Sequence, residues 1–134
     1  MKRALYLFVL TVVLFSCTKK EESSRENLDL LAVTEVTFPL VFQENVVTEI
    51  PVKFALPNGC YRFYDFYYRK NDNTRTVAIV AVNSNQDACT QAIVSETQIL
   101  KFKPALAGTY TFKFYKGKDA NGVDEFFEYE AIVN

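Results

Sequence analysis

From Thr34 onward, apolar residues recur at every second position, and this alternation constrains the fold more than any other feature. Val36, Phe38, Leu40 and Phe42 alternate with Glu35, Thr37, Pro39 and Val41. After a turn at residues 43–45, Ile50, Val52, Phe54 and Leu56 alternate with Glu49, Pro51, Lys53 and Ala55. A period of two puts each set on one face of a strand. Pro39 and Pro51 cannot donate to a ladder, so each belongs at an edge or a bulge. Pro57-Asn58-Gly59 is a turn signal. Further strands are expected over residues 61–69, 75–82, 93–103, 109–115 and 123–133. The turn before the last strand carries the hairpin pair Asn121-Gly122. About seven short strands, short turns and no helical period predict an all-β chain, a single seven-stranded antiparallel β-sandwich over residues 34–134.

The start of the chain is built differently. Lys2 and Arg3 precede an apolar run from Ala4 to Phe15, which ends on Ser16 and Cys17. A membrane-spanning helix needs about 20 apolar residues, whereas the core of a secretory signal needs about 7–15 after a positive start. Leu14-Phe15-Ser16-Cys17 resembles the lipobox of bacterial lipoproteins, with an aliphatic residue at Leu14 and a small one before the cysteine. That resemblance implies cleavage after residue 16 and lipidation of Cys17. Two or more acyl chains hold a protein durably where one chain binds marginally. The other readings of these residues are an ordinary signal peptide with an incidental cysteine and an uncleaved anchor. No aspartate follows Cys17, and Lys20-Glu21-Glu22 resembles the charged export signal of surface lipoproteins of the Bacteroidota type. The implied organisation is a signal peptide at 1–16, the lipidated cysteine and a flexible tether at 17–33, then the sandwich. The implied location is the outer membrane, lipid-anchored, facing either the cell surface or the periplasm. The membrane is then one partner, reached through the anchor.

Without residues 1–16 the chain keeps 118 of its 134 residues, and the loss of Lys2 and Arg3 takes its formal charge from −1 to −3. A mildly acidic chain without basic runs between aromatics is not a nucleic-acid binder. With Cys17 lipidated, Cys60 and Cys89 are left, and two thiols exported to an oxidising compartment are expected to pair. The alternative is two free buried thiols. Neither lies in a Cys-x-x-Cys motif, so redox catalysis is not indicated. Gly108-Thr109-Tyr110 resembles the tyrosine corner of immunoglobulin-like and fibronectin-III-like sandwiches. That resemblance implies an Ig-like architecture and transfers no active site.

There is no histidine. Ser-His-Asp and Cys-His nucleophilic systems and imidazole-held zinc are therefore ruled out. No glycine-rich loop opens a helix, and no cofactor or metal is expected. Asp119, Asn121 and Asp124 are spaced loosely like calcium ligands, but they equally suit a hairpin turn. The expected function is a non-enzymatic binding or assembly module, with carboxylates such as Asp65 the only route to an enzyme. The candidate surface is the strand at residues 61–69. Unbroken alternation puts Tyr61, Phe63, Asp65, Tyr67 and Arg69 on one face and Arg62, Tyr64, Phe66 and Tyr68 on the other. With the second face turned to the core, the first presents aromatics around a carboxylate, extended by Tyr115, Phe126 and Ile132. Such a surface suits a protein partner or a glycan; ordinary cross-strand aromatic pairing is the competing explanation.

Overall fold

A computed structural model describes residues 27–84 and 88–134; Cys17 and its lipobox lie outside the described residues. Eight strands follow in order: β1 (Asn27–Leu31), β2 (Val33–Val36), β3 (Thr48–Leu56), β4 (Tyr61–Asn71), β5 (Thr74–Asn83), β6 (Val94–Phe102), β7 (Gly108–Lys118) and β8 (Asp124–Val133). β2, β3 and β6 form one sheet, and the other five strands form the second. Together they make a β-sandwich.

The five-stranded sheet is organised by β5. Its sequence, TRTVAIVAVN, is a nearly continuous apolar and β-branched run, the pattern of a strand covered on both faces. One edge pairs with β4 along its whole length. The other edge is shared end to end: β7 pairs with Thr74–Val77, and β1 pairs with the stretch from Ile79 to Asn83. β8 then pairs with β7. The side chains of Val77, Ile79 and Ala81 enter the core, where they meet Phe112 and Phe114 of β7 and Ile50, Val52 and Phe54 of β3. Ring contacts tie the two layers together, Phe102 of β6 lying 4.9 Å from Phe112 edge to face.

The structure corrects several expectations. The described residues form eight strands rather than seven, and the sheets are not wholly antiparallel, because β5 and β7 run parallel. The chain between them passes through the opposite sheet as β6, which supplies the crossover that a parallel pair requires. The first described residues are already strand, so residues 27–31 and Val33 of the expected tether pair into the two sheets. The strand expected to run on to Phe42 leaves its ladder after Val36, where the Thr37 amide makes a last bond of 3.0 Å to the Pro51 carbonyl. Phe38 and Phe42 still pack inward, Phe38 stacking on Tyr129 at 4.8 Å, but Leu40 is 97% exposed. Pro51 sits in the middle strand of its sheet. A strand residue's amide and carbonyl point to the same side, so the missing donor falls where the β2 ladder ends and costs no pairing with β6.

Tyr110 closes a corner, its hydroxyl donating to the Leu106 carbonyl at 2.9 Å. Cys60 and Cys89 are joined in a disulfide, their Cα atoms 5.4 Å apart. Asn27 lies opposite Asn83, beside Ser84, whose amide bonds the Cys60 carbonyl, so the first described residue lies at the disulfide end. The β4–β5 turn at Asp72-Asn73 lies at the other end; Asp72 has φ 49°, a conformation that aspartate tolerates better than most residues.

The disulfide closes a loop with a sequence separation of 29. Replacing both cysteines by serine is expected to lower stability by about 3.5 kcal/mol on the chain-entropy account. Urea unfolding of the oxidised protein and the double variant measures the difference.

Candidate functional site

The aromatic strand β4 alternates, but the alternation breaks once. Phe63 faces Ala81 and Asp65 faces Val80, so Tyr64 is an extra residue in a bulge. A single inserted residue exchanges the two faces of everything on one side of it. Before the bulge, Tyr61 and Phe63 pack on the core; after it, Phe66 and Tyr68 do so. The Phe63 ring lies 5.7 Å from Phe54 and 5.3 Å from Phe66. The Asp65 carboxylate accepts the amide of Phe66 at 2.7 Å beside the bulge.

The expected surface is therefore split. Asp65, Tyr67 and Arg69 point outward as expected, whereas Tyr61 and Phe63 turn to the core. Tyr64, expected inside, is 58% exposed, and Tyr67 is 41% exposed. The outer face of β5 lies beneath them: Ala78 is opposite Tyr67, and both Ala78 and Val82 are buried. Leu28 and Leu30 of β1 lie opposite Val82 and Val80 and remain exposed. Their alternation in Leu28-Asp29-Leu30 was the available sign of a strand there.

Farther across the sheet, a groove of about 480 Å³ brings Tyr67 and Arg69 together with Leu30, Tyr115, Lys118, Asp124 and Phe126. Tyr115 and Phe126 lie edge to face at 6.1 Å, and Lys118 pairs with Asp124 at 2.6 Å. The groove thus combines aromatic and apolar walls with fixed charges of both signs. Ile132 is exposed on the same strand as Phe126 but does not line it. The outer face of the three-stranded sheet is of another kind, crossed by the ion pairs Lys53–Glu35 at 3.3 Å and Lys101–Glu49 at 3.9 Å.

The hairpin at residues 119–123 is a turn in its own right. The Asp119 carboxylate accepts the amides of Asn121 and Val123 at 2.8 and 2.9 Å, and these bonds hold its pKa below the usual carboxylate value. Gly122 has φ 80°, which a side chain would strain. One oxygen of Asp119 holds the turn amides and one of Asp124 pairs with Lys118.

A family model described as the ORF11 beta-sandwich domain matches residues 50–129, from within β3 to within β8. Comparison with curated proteins gives no match, and neither does comparison with solved structures.

Tyr61 has a structural part in holding this face together. Its hydroxyl donates to the Asp29 carboxylate at 2.9 Å, tacking β1 to β4 across β5. That bond, then burial, raises the Tyr61 pKa above 10.0. A raised pKa stabilises the fold below the unfolded value and ceases to do so as pH rises through the folded value. Tyr61→Phe is expected to cost about 1 kcal/mol at neutral pH. The gap from the parent should narrow as pH climbs past the ordinary tyrosine value, which urea unfolding at several pH values will show.

Proposed function

The chain belongs to the ORF11 beta-sandwich domain family, and from that premise we propose a lipid-anchored, non-enzymatic binding or assembly module of the outer membrane, exposed at the cell surface. Cys17 is the anchor in this reading, and the residues before Asn27 are the leash. The immunoglobulin-like type belongs to the same proposal. The Tyr110 bond to Leu106 supports it, and the parallel β5–β7 pair departs from it.

One observation carries the binding reading: the two outer faces of the sandwich differ. Both carry exposed ion pairs, but that of the five-stranded sheet also presents Leu28, Leu30, Tyr64 and Tyr67 beside the apolar outer side of β5. Contiguous exposed apolar surface marks contact sites, and tyrosine is favoured where binding energy concentrates. A protein partner in the surface assembly is the first reading.

The groove itself favours a second reading, a carbohydrate ligand. The Tyr67, Tyr115 and Phe126 rings offer apolar platforms, and Arg69 and Asp124 offer hydrogen bonds to hydroxyls.

Cys17→Ala is expected to move the protein from the membrane fraction to the soluble one; an unchanged membrane fraction counts against the anchor. A photo-crosslinker at position 67 in intact cells is expected to give a discrete protein adduct, while one at position 53, on the charged face, gives none. Equal adducts from both positions, or none from position 67, argue against a protein partner on this surface. Should isothermal titration with oligosaccharides show binding, Tyr67→Ala should weaken it by roughly 30-fold, the size of a hot-spot loss. Unchanged affinity removes the groove from the account.

A further inference from the structure

The end of the sandwich remote from Asn27 holds a second concavity, of about 520 Å³, between the β4–β5 turn and residues 103–106. Its lining is strongly cationic, with Lys70, Arg75, Lys101 and Lys103 against the single carboxylate of Asp72. The charges here are also left unbalanced. On the surface of the five-stranded sheet, Lys113, Lys116 and Lys118 each pair with a carboxylate, at 2.8, 3.4 and 2.6 Å. Among the described residues, no ion pair includes Lys70, Lys103 or Arg75, and Lys101 reaches Glu49 only at 3.9 Å between two exposed side chains.

Arg75 is the unusual member. It is only 9% exposed. One terminal nitrogen donates to the carbonyls of Asp72 and Thr74 at 2.6 and 3.0 Å, and the guanidinium lies 5.0 Å from the centre of the Tyr110 ring. Its Nε has no hydrogen-bond partner. Carbonyls and a ring face orient a guanidinium without neutralising it. A cation buried this far, with no ion-pair partner among the described residues, projects a positive potential into the pocket beside it that is damped less than that of an exposed side chain. Two unpaired lysines at the rim add mobile charge, and Leu106 and Pro104 supply an apolar wall.

We infer that this pocket binds an oxyanion on a small organic body, a carboxylate or a phosphate monoester, with the anionic group between Lys70 and Lys103 above Arg75 and the body against Leu106. The site is separate from the groove of the outer face and does not depend on what that groove binds.

The test is a titration of the isotope-labelled full chain with inorganic phosphate and, separately, with glucuronate, at ionic strength held constant by sodium chloride; methyl glucoside is the neutral control. Saturable amide shifts confined to residues 68–75 and 101–106 are expected with at least one anion and none with the glucoside. Saturation by phosphate alone assigns a phosphate group, and by glucuronate alone a carboxylate. Because Arg75→Met is liable to unfold the protein, the deciding variant is Lys70→Gln with Lys103→Gln, expected to bind about tenfold more weakly with an unchanged thermal midpoint. Shifts that grow linearly with either anion without saturating, or affinity unaltered in the double variant, would overturn the assignment.

Discussion

The structure depends on one strand being apolar on both of its faces. β5 fills the core with Val77, Ile79 and Ala81 and turns Ala78, Val80 and Val82 the other way. It also bonds neighbours on both edges, β4 on one and β7 followed by β1 on the other. A strand with no solvent face demands cover on its outer side. Part of that cover comes from the first described residues, Leu28 and Leu30, and part from Tyr64 and Tyr67 of β4. The cover is incomplete, since all four remain exposed. The aromatic outer face is thus a consequence of how the core strand is built, as well as a surface suited to a partner.

The bulge at Tyr64 reconciles two demands on β4. The core needs aromatic rings against Phe54 and the odd-numbered residues of β5, and the outer face has Tyr67 opposite Ala78. An uninterrupted strand gives one register to each face. One extra residue lets Tyr61 and Phe63 serve the core at the disulfide end, while Phe66 and Tyr68 serve it farther along. A second irregularity in β7, between Tyr115 and Gly117, leaves Tyr115 beside Phe126 on the outer face; Gly117 has φ 119° there.

Strand positions from Thr48 onward were legible because each is a clean period-two or β-branched run between turn residues. The Cys60–Cys89 bond and the Tyr110 corner were legible for the same kind of reason, since few residues had to be assigned. The bulge was not legible: with aromatics at Tyr61, Phe63, Tyr64, Phe66, Tyr67 and Tyr68, both registers bury rings and hydropathy cannot choose between them. β1 was hidden because its pairing runs to Val82 and Val80, about fifty residues away, and a five-residue strand carries little local signal. The cationic pocket was hidden for a similar reason. Lys70, Arg75 and Lys103 are ordinary in sequence and meet only when the β4–β5 turn folds against the segment after β6.

The most direct measurement of the central claim, that β4 is broken at Tyr64 and so presents a mixed aromatic outer face, is a residue-resolved rate of tyrosine modification in the native protein, read by mass spectrometry. The structure predicts that Tyr64 and Tyr67 are modified first, with Tyr61, Tyr68 and Tyr110 lagging. Rapid modification of Tyr61 together with Tyr67, and protection of Tyr64, would mean an unbroken strand and would contradict the account.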